Sequence, residues 1–221
     1  MLRINSMQMK NKVSNIKAFL FDMDGVLIDA KDWHFDALNM ALSHFGYGIS
    51  FHQHLSTFDG LPTRDKLHLL TETVSLPVGL HQIINDLKQK YTLRIAAAKT
   101  TPTFCHEYVL SFLKNSGFKL ACCSNSMKKT IEDMLTRANI FQYFDLILSN
   151  EDVENAKPSP EIYSKAIDYF GLKPNECVVV EDNKNGIEAG IAAGAYVIEI
   201  NETSDVNINT INQFLGSIHE N

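Results

Sequence analysis

Two carboxylates two positions apart follow a short apolar run near the start of the chain. Asp22 directly follows the run 16–21, Asp24 comes two positions later, and Gly25 follows Asp24. Side chains two residues apart at a strand end project to the same side, and glycine allows the chain to turn there. Because two such close carboxylates repel each other unless a cation or a proton intervenes, the pair indicates a cation site or a capped turn.

Further polar residues follow later apolar runs. Residues 124–126 are Ser-Asn-Ser and could bind an anion with hydroxyl groups and free backbone amides, although plain N-capping of a helix gives the same pattern. Lys157 precedes Pro158 in a loop, where an isolated lysine is usually solvated. Glu181 and Asp182 end an apolar run, and they require a cation or strong donors if they are buried.

Five short runs rich in β-branched and aromatic residues predict the strands that position these groups. The runs are 16–21, 119–123, 145–148, 177–180 and 195–200. Segments of helical periodicity lie between the later runs, and one of them, 160–170, would end at Gly171. This alternation predicts an α/β fold with a parallel sheet, in which ligands bind beyond the carboxyl ends of the strands.

The interval between the first two predicted strands is too long for one crossover, at roughly a hundred residues against the dozen or more required. Apolar residues within it have the helical spacing i, i+3, i+4 and i+7. They are Leu38, Ala41, Leu42 and Phe45, and then Leu80, Ile83, Ile84 and Leu87. We therefore expect a helical domain at 30–99, inserted into a core of residues 1–29 and 100–221. Residues 1–15 are expected to be flexible, and a last helix is expected near residue 214.

Composition argues against several classes of partner. The chain has 221 residues, a net charge of −6 and a pI near 5.7, which provides no basic surface for nucleic acid or an anionic membrane. No apolar stretch approaches the ~18 residues of a membrane span, and residues 1–15 lack the apolar centre of a signal peptide. The four cysteines have no CxxC spacing and favour buried, reduced thiols. A cytoplasmic protein, monomeric or weakly dimeric, is expected.

Together these elements resemble the motifs of the haloacid dehalogenase superfamily, from about residue 16 to about residue 200. The motifs are Phe-Asp-Met-Asp-Gly-Val-Leu-Ile-Asp at 21–29, Cys-Ser-Asn-Ser at 123–126, Lys-Pro at 157–158, and Glu-Asp-Asn at 181–183 with Gly186. They look like those of the β-phosphoglucomutase and phosphatase branch. That resemblance implies a Rossmann-like, three-layer core with a parallel sheet and a small inserted α-helical cap.

The resemblance also implies a magnesium-dependent phosphatase that acts on a small phosphomonoester, expected to be a sugar phosphate, through an aspartyl phosphate. Asp22 would attack phosphorus, and Asp24 would act as general acid and then as general base, which requires a raised pKa. The residues implied for Mg²⁺ are Asp22, Asp24 through its main-chain oxygen, Asp182 and Glu181, and those implied for the phosphoryl group are Ser124, Asn125 and Lys157.

In this branch the cap selects the substrate. His34, Gly60 and Arg64 resemble substrate-contacting positions, and Arg64 could hold a second anionic group. His34 could equally be an ordinary helix residue, and Arg64 could be solvated. Lys88 and Lys90 both lie near the place of a lysine that the mutases keep, and the sequence does not choose between them. Mutase activity on β-glucose 1-phosphate therefore stays the alternative.

Three other possibilities are less favoured. A phospho-acceptor signalling module also places acids and a lysine at strand ends, but it would need neither the insertion nor Asp24. Dehalogenase activity is disfavoured because Asp24 and the pair Glu181 and Asp182 indicate phosphoryl transfer. His52 and His54 could bind a metal ion, but a surface helix or loop is favoured there.

Overall fold

The computed structural model describes residues 15–218, in which five strands form one parallel sheet. The strands are β1 (Ala18–Phe21), β2 (Lys119–Cys123), β3 (Leu146–Leu148), β4 (Cys177–Glu181) and β5 (Tyr196–Glu199). Their order across the sheet is β3-β2-β1-β4-β5, so the direction of winding reverses at the central strand β1. The predicted strands and α/β fold class are confirmed, and the crevice expected for a ligand lies at the end of β1.

Eight α-helices of nine or more residues lie within the described residues. They are α1 (Lys31–Ser43), α2 (Thr63–Val74), α3 (His81–Lys99), α4 (Phe104–Asn115), α5 (Lys128–Arg137), α6 (Glu161–Phe170), α7 (Lys184–Ala192) and α8 (Ile208–Ser217). A short helical segment at Phe51–Gln53 continues as a π-helix at His54–Phe58. Helix α6 ends at Gly171, whose φ of 64° is the left-handed conformation predicted for its stop, and α8 confirms the predicted last helix.

Helices cover both faces of the sheet. In β1, Phe19 and Phe21 belong to one hydrophobic cluster, whereas Ala18 and Leu20 belong to another on the opposite face. Residues of α4, α5 and α8 complete the first cluster, and residues of α6 and α7 complete the second. Because both faces are buried, the strands are continuously apolar rather than alternating, and this explains why they could be recognised in the sequence.

The helices α1, α2 and α3 lie between β1 and β2 and share a third hydrophobic cluster. Leu38 from α1, Leu67 from α2 and Ile84 from α3 are buried within it. Ile83, expected on the buried stripe of α3, is exposed because its neighbour Ile84 occupies the inward position. The far end of α3 reaches the sheet, where Ala96 joins the first cluster. The inserted segment is therefore helical as predicted, and its extent as a separate domain remains a prediction.

Three further expectations concern the N-terminus, the cysteines and membranes. The expected flexible segment 1–15 lies, apart from Asn15, outside the described residues. All four cysteines are free thiols, and Cys122, Cys123 and Cys177 are buried. Between residues 15 and 218, no helix combines the length and the apolarity needed to cross a membrane.

Candidate active site

A buried lysine connects two side chains and a backbone carbonyl at the carboxyl ends of three neighbouring strands. Lys157 Nζ donates hydrogen bonds to Asp22 Oδ1 at 2.6 Å, to Glu181 Oε1 at 2.7 Å and to the carbonyl oxygen of Cys123 at 2.7 Å. Only 4% of Lys157 is exposed, so it is not the solvated lysine that a loop position would suggest. Its three donors each meet an acceptor, which fixes the ammonium group in one place.

The charges around Lys157 shift the pKa values of its neighbours. Burial raises the pKa of Asp22 well above its usual range, and Lys157 opposes that rise. The carboxylates of Glu181, Asp24 and Asp182 add to it. For Lys157, burial alone would lower the pKa, but the charges of Asp22 and Glu181 raise it above its ordinary value. Lys157 therefore stays charged, and additional positive charge nearby would keep Asp22 ionised at neutral pH.

Three carboxylates at this point are arranged so that they can hold a metal ion. One oxygen from each of Asp22, Glu181 and Asp182 lies within 4.8 Å of the other two. Asp182 Oδ1 is buried without a hydrogen-bond partner among residues 15–218, and Oδ2 has an ion pair with Lys31 Nζ at 2.5 Å. Carboxylate oxygens are the ligands that Mg²⁺ prefers, and a site with few protein ligands leaves positions for water or phosphate. The residues present therefore fit Mg²⁺.

Glu181 differs from the other two acids because protein donors occupy both of its oxygens. Its Oε1 accepts hydrogen bonds from Lys157 and from the Tyr163 hydroxyl at 2.7 Å, and Oε2 accepts from the backbone amide of Asp182 at 3.1 Å. Tyr163 was not predicted as a site residue, since a tyrosine on the buried stripe of α6 is typical of a core position. These contacts hold Glu181 in place and make it a positioning group for Lys157.

Gly186 on α7 is the residue that leaves room for the Glu181 carboxylate, because a Cβ atom there would overlap it. We expect Gly186→Ala to lower the free energy of unfolding by about 1–3 kcal/mol through this overpacking. Gly216 on α8 is the matched control, since a Cβ atom at that position would meet no other atom. Gly216→Ala should be neutral or stabilise by up to about 1 kcal/mol in urea unfolding. Equal effects of the two substitutions would contradict this role of Gly186.

The Asp24 side chain lies beside this cluster and contacts a separate set of donors. Its Oδ1 lies 2.9 Å from His34 Nε2, and its Oδ2 accepts hydrogen bonds from Ser126 Oγ at 2.8 Å and Ser124 Oγ at 3.4 Å. Burial alone would raise the pKa of Asp24. The charge of His34, the hydrogen bonds from His34 and Ser126, and the charge of Lys88 outweigh burial and lower that pKa to about 2. The predicted raised pKa of Asp24 is therefore wrong for the free protein.

His34, at the start of α1, joins Asp24 to a lysine of α3. Its Nδ1 lies 3.1 Å from Lys88 Nζ. Burial and the charge of Lys66 lower the pKa of Lys88 to about 7, against the opposing charge of Asp24. Lys90, on the same helix, is exposed to solvent. Of the two lysines between which the sequence did not choose, Lys88 is the one that faces the site.

Residues 124–126 are not N-caps of the next helix. Helix α5 begins at Lys128, and Met127 occupies its N-cap position without a side-chain bond. Ser124 Oγ instead accepts a hydrogen bond from the Ser126 amide at 3.0 Å. Asn125 accepts from the Lys157 amide at 3.3 Å and donates through Nδ2 to a carbonyl of the inserted segment at 2.9 Å. The turn is therefore held in shape by its own side chains, beside Asp24.

Of the residues in the inserted segment that could contact a substrate, some lie at the site and others face solvent. Gly60 provides the carbonyl that Asn125 contacts, and its φ of 73° suits glycine. Arg64 has 69% of its side chain exposed and pairs with Asp65 at 3.2 Å, and its predicted contact with substrate remains a prediction. Lys66, which was not predicted from the sequence, is only 6% exposed and lines the pocket that also contains Asp22, Asp24 and Lys157.

The sequence does contain a pattern that could have identified Lys66. The buried residues of α2 are Thr63, Lys66, Leu67 and Leu70, which have the spacing i, i+3, i+4 and i+7. A lysine within such a stripe is unusual, because lysine is rarely buried without a partner.

The expected surface position of the two histidines in the inserted segment is wrong for His54. His52 is exposed, whereas His54 is 1% exposed, with its ring centroid 5.3 Å from that of Phe35 and 6.2 Å from that of Phe51. His54 is the first residue of the π-helix His54–Phe58, and burial lowers the pKa of its ring.

Comparison with known proteins agrees with this fold and arrangement. The profile of the family described as "Haloacid dehalogenase-like hydrolase" matches residues 19–200. The chain therefore belongs to the haloacid dehalogenase-like hydrolases. This confirms the family resemblance and the predicted class of enzyme, a hydrolase of the haloacid dehalogenase type.

Two similar sequences carry names of phosphatases. The chain is 30% identical over 182 residues to a phosphorylated carbohydrates phosphatase of Thermotoga maritima, a match that covers 81% of this chain and 82% of that protein. It is 32% identical over 180 residues to a phosphoglycolate phosphatase of Aquifex aeolicus, and this match covers 81% of this chain and 82% of that protein.

A solved structure has the same fold. The β-phosphoglucomutase of Clostridium difficile superposes with a TM-score of 0.81 and 22% sequence identity, over 93% of this chain and 100% of that one. At this identity the likeness concerns the fold alone.

Proposed function

We propose that this protein is a magnesium-dependent phosphatase that hydrolyses a small phosphomonoester, expected to be a sugar phosphate, through an aspartyl phosphate at Asp22. The observation that carries the proposal is the cluster at the carboxyl end of the sheet, where Asp22 lies 2.6 Å from Lys157 and beside Glu181 and Asp182. The names of the two related phosphatases support the same reaction and substrate class.

The first chemical step forms a bond between Asp22 and phosphorus. The carboxylate oxygen that does not contact Lys157 attacks the phosphorus atom, and the bond to the leaving alcohol breaks. Lys157 supplies positive charge that offsets the repulsion between a carboxylate and a phosphate. Asp22, Asp182 and the main-chain oxygen of Asp24 would hold Mg²⁺, which would add to that charge. Ser124 and Asn125, in the turn after β2, are proposed to bind the phosphoryl oxygens.

Asp24 is proposed to donate a proton to the leaving oxygen and then to accept one from the attacking water. A phosphate dianion beside Asp24 adds negative charge, which raises the pKa of Asp24 above its value in the free protein. His34 Nε2 contacts Asp24 Oδ1 and His34 Nδ1 contacts Lys88 Nζ, so a proton that passes from His34 to Asp24 would be replaced on the imidazole by one from Lys88. Water attacks the phosphorus of the aspartyl phosphate, inorganic phosphate leaves, and Asp22 is regenerated.

Residues 30–99 are proposed to act as a cap that closes over this site. Besides the contacts of His34 with Asp24 and of Lys31 with Asp182, the segment is joined to the core by three further hydrogen bonds. They are Asn183 Nδ2 to Asp59 Oδ2 at 3.0 Å, Thr130 Oγ1 to Gln89 Oε1 at 3.0 Å, and the bond from Asn125 described above. A closed cap excludes water, which strengthens the electrostatic interactions inside.

A sugar phosphate mutase of the β-phosphoglucomutase type is the second candidate. The observation that favours it is the contact between Lys88 and His34, because the resemblance to the mutases implies a lysine of the inserted segment at the site. An assay across a panel of sugar phosphates, with free phosphate and isomerised sugar measured together, separates the two functions. Release of phosphate without isomer supports the phosphatase, and isomer without phosphate supports the mutase.

Removal of metal is expected to abolish turnover. Chelation with EDTA should lower kcat at least about 100-fold, because the charge of Lys157 alone does not balance the acids around Asp22, and added Mg²⁺ should restore it. Asp182→Asn should raise the Mg²⁺ concentration for half-maximal activity about tenfold or more, whereas the exposed Asp29→Asn should leave it unchanged. Circular dichroism of the chelated protein controls for unfolding. Full activity in EDTA would contradict the metal dependence.

A further inference from the structure

The pocket that contains Asp22 is lined by four lysines, and three of them have partners. Lys31 pairs with Asp182, Lys88 contacts His34, and Lys157 binds Asp22 and Glu181. The fourth lysine is Lys66, which comes from α2. Among residues 15–218, no side-chain hydrogen bond or ion pair is formed by Lys66, although it is 6% exposed.

A lone buried cation is costly, because burial removes its hydration and no partner replaces that hydration. Burial accordingly lowers the pKa of Lys66 from 10.5 to about 8, and the more distant charges of Asp59 and Asp24 oppose it only in part. Replacement by an apolar residue would remove this cost, so Lys66 does not stabilise the fold through a bond of its own. An anionic ligand in the pocket would compensate the charge.

We infer that Lys66 forms a second anion-binding position, so that this protein prefers phosphomonoesters that carry a further carboxylate or phosphate group. The inference rests on the proposed phosphatase function. In the proposed function the scissile phosphate binds beside Lys157 at the sheet, whereas Lys66 belongs to the inserted segment and lines the same pocket from α2. Lys31 and Lys157 are paired with carboxylates, and Lys88 contacts the His34 ring. Among residues 15–218, Lys66 is therefore the pocket lysine whose ammonium group has no polar partner, and a second anion could bind it.

Lys66 is thus inferred to bind the second anion, a role that the sequence suggested for Arg64. Arg64 lies one position before Asp65 on α2 and is directed to solvent, whereas Lys66 is on the buried stripe of the same helix. The two cations are two residues apart, and this makes Arg64 a matched control for the loss of one positive charge.

The test compares substrates that differ only in the second anion. The pairs are 2-phosphoglycolate with 2-hydroxyethyl phosphate, and fructose 1,6-bisphosphate with fructose 6-phosphate. The wild-type protein should prefer the first member of at least one pair, and the pair identifies whether carboxylate or phosphate is the better anion. Lys66→Met should lower kcat/KM for that member about 10- to 100-fold, and for its uncharged analogue less than about threefold. Arg64→Met should change both members less than about threefold.

Lys66→Met should also unfold at the same temperature as the wild-type protein or higher, because it removes a lone buried charge while keeping an unbranched side chain. Lys66→Gln, a polar and uncharged replacement, provides the second variant and should lose the same preference. Equal loss of kcat/KM for both members of a pair, or no loss for either, would overturn the inference.

Binding distinguishes failure of the subsite from failure of the phosphatase proposal. Calorimetry measures the affinity of 2-phosphoglycolate and of fructose 1,6-bisphosphate for the Asp22→Asn protein, with and without Lys66→Met. A loss of affinity of about tenfold or more for one of them supports the subsite even if the wild-type protein hydrolyses neither pair. In that event the phosphatase proposal fails and the subsite stands. Unchanged affinity would contradict the subsite alone.

Discussion

Asp22→Asn is expected to lower kcat by at least about 10⁴-fold, because the amide oxygen and nitrogen are poor nucleophiles towards phosphorus. The fold should remain intact, since Lys157 keeps its hydrogen bonds to Glu181 and to the carbonyl of Cys123. Asp29→Asn is the matched control. Asp29 is an exposed carboxylate close to Asp22 in the sequence, and its replacement should leave kcat within about twofold.

Steady-state assays with the best substrate of the sugar phosphate panel measure this effect. A trace of contaminating phosphatase is recognised by its different KM. An Asp22→Asn protein that keeps more than a few per cent of wild-type kcat, at the wild-type KM, would contradict nucleophilic attack by Asp22.

Lys157→Met is expected to have the second largest effect, on stability as well as on activity. The substitution leaves Asp22 and Glu181 buried near each other without the ammonium group that separates them. Removal of one partner of a buried ion pair costs about 3–5 kcal/mol, and we expect the free energy of unfolding to fall by that amount. Activity should be lost as well, since the phosphoryl group loses its protein cation.

Urea unfolding in EDTA measures the stability change. Lys165→Met is the control, because Lys165 is exposed and its pairing with Glu161 lies at the surface, so the expected change is within about 1 kcal/mol. Mg²⁺ should restore part of the stability of the Lys157→Met protein, since a cation that binds only the folded state stabilises it. Loss of less than about 1 kcal/mol at Lys157 would show that the two acids do not depend on it.

The sequence predicts the sheet and the main site residues well, for a physical reason. Strands buried on both faces are continuously apolar, so their ends are visible as the first polar residues that follow. Because the ends of parallel strands meet at one edge, Asp22, Ser124 and Glu181 could be placed together before the structure was known. Lys157 was recognised by its motif, and its near-complete burial was not expected.

The parts that the sequence could not predict depend on helix phase and on contacts between distant residues. The expected stripe of α3 included Ile83, which is exposed. Lys88 was not distinguished from Lys90 because neither lysine could be aligned with the one that the mutases keep. On α2, Lys66 lies on the buried stripe and Arg64 outside it. The spacing of Thr63, Lys66, Leu67 and Leu70 carries that information, but only Leu67 and Leu70 are apolar, so the stripe was not recognised in the sequence. The pKa of Asp24 depends on contacts with residues remote in sequence.

Chemical trapping of the covalent intermediate tests the central claim most directly. Borohydride reduces an acyl phosphate at an aspartate to homoserine, and peptide mass spectrometry locates the modified residue. During turnover with Mg²⁺ and substrate, we predict homoserine at position 22, and none there when EDTA or the Asp22→Asn protein is used. Turnover that leaves residue 22 unmodified, or a modification at another aspartate in its place, would contradict the assignment of Asp22 as the nucleophile.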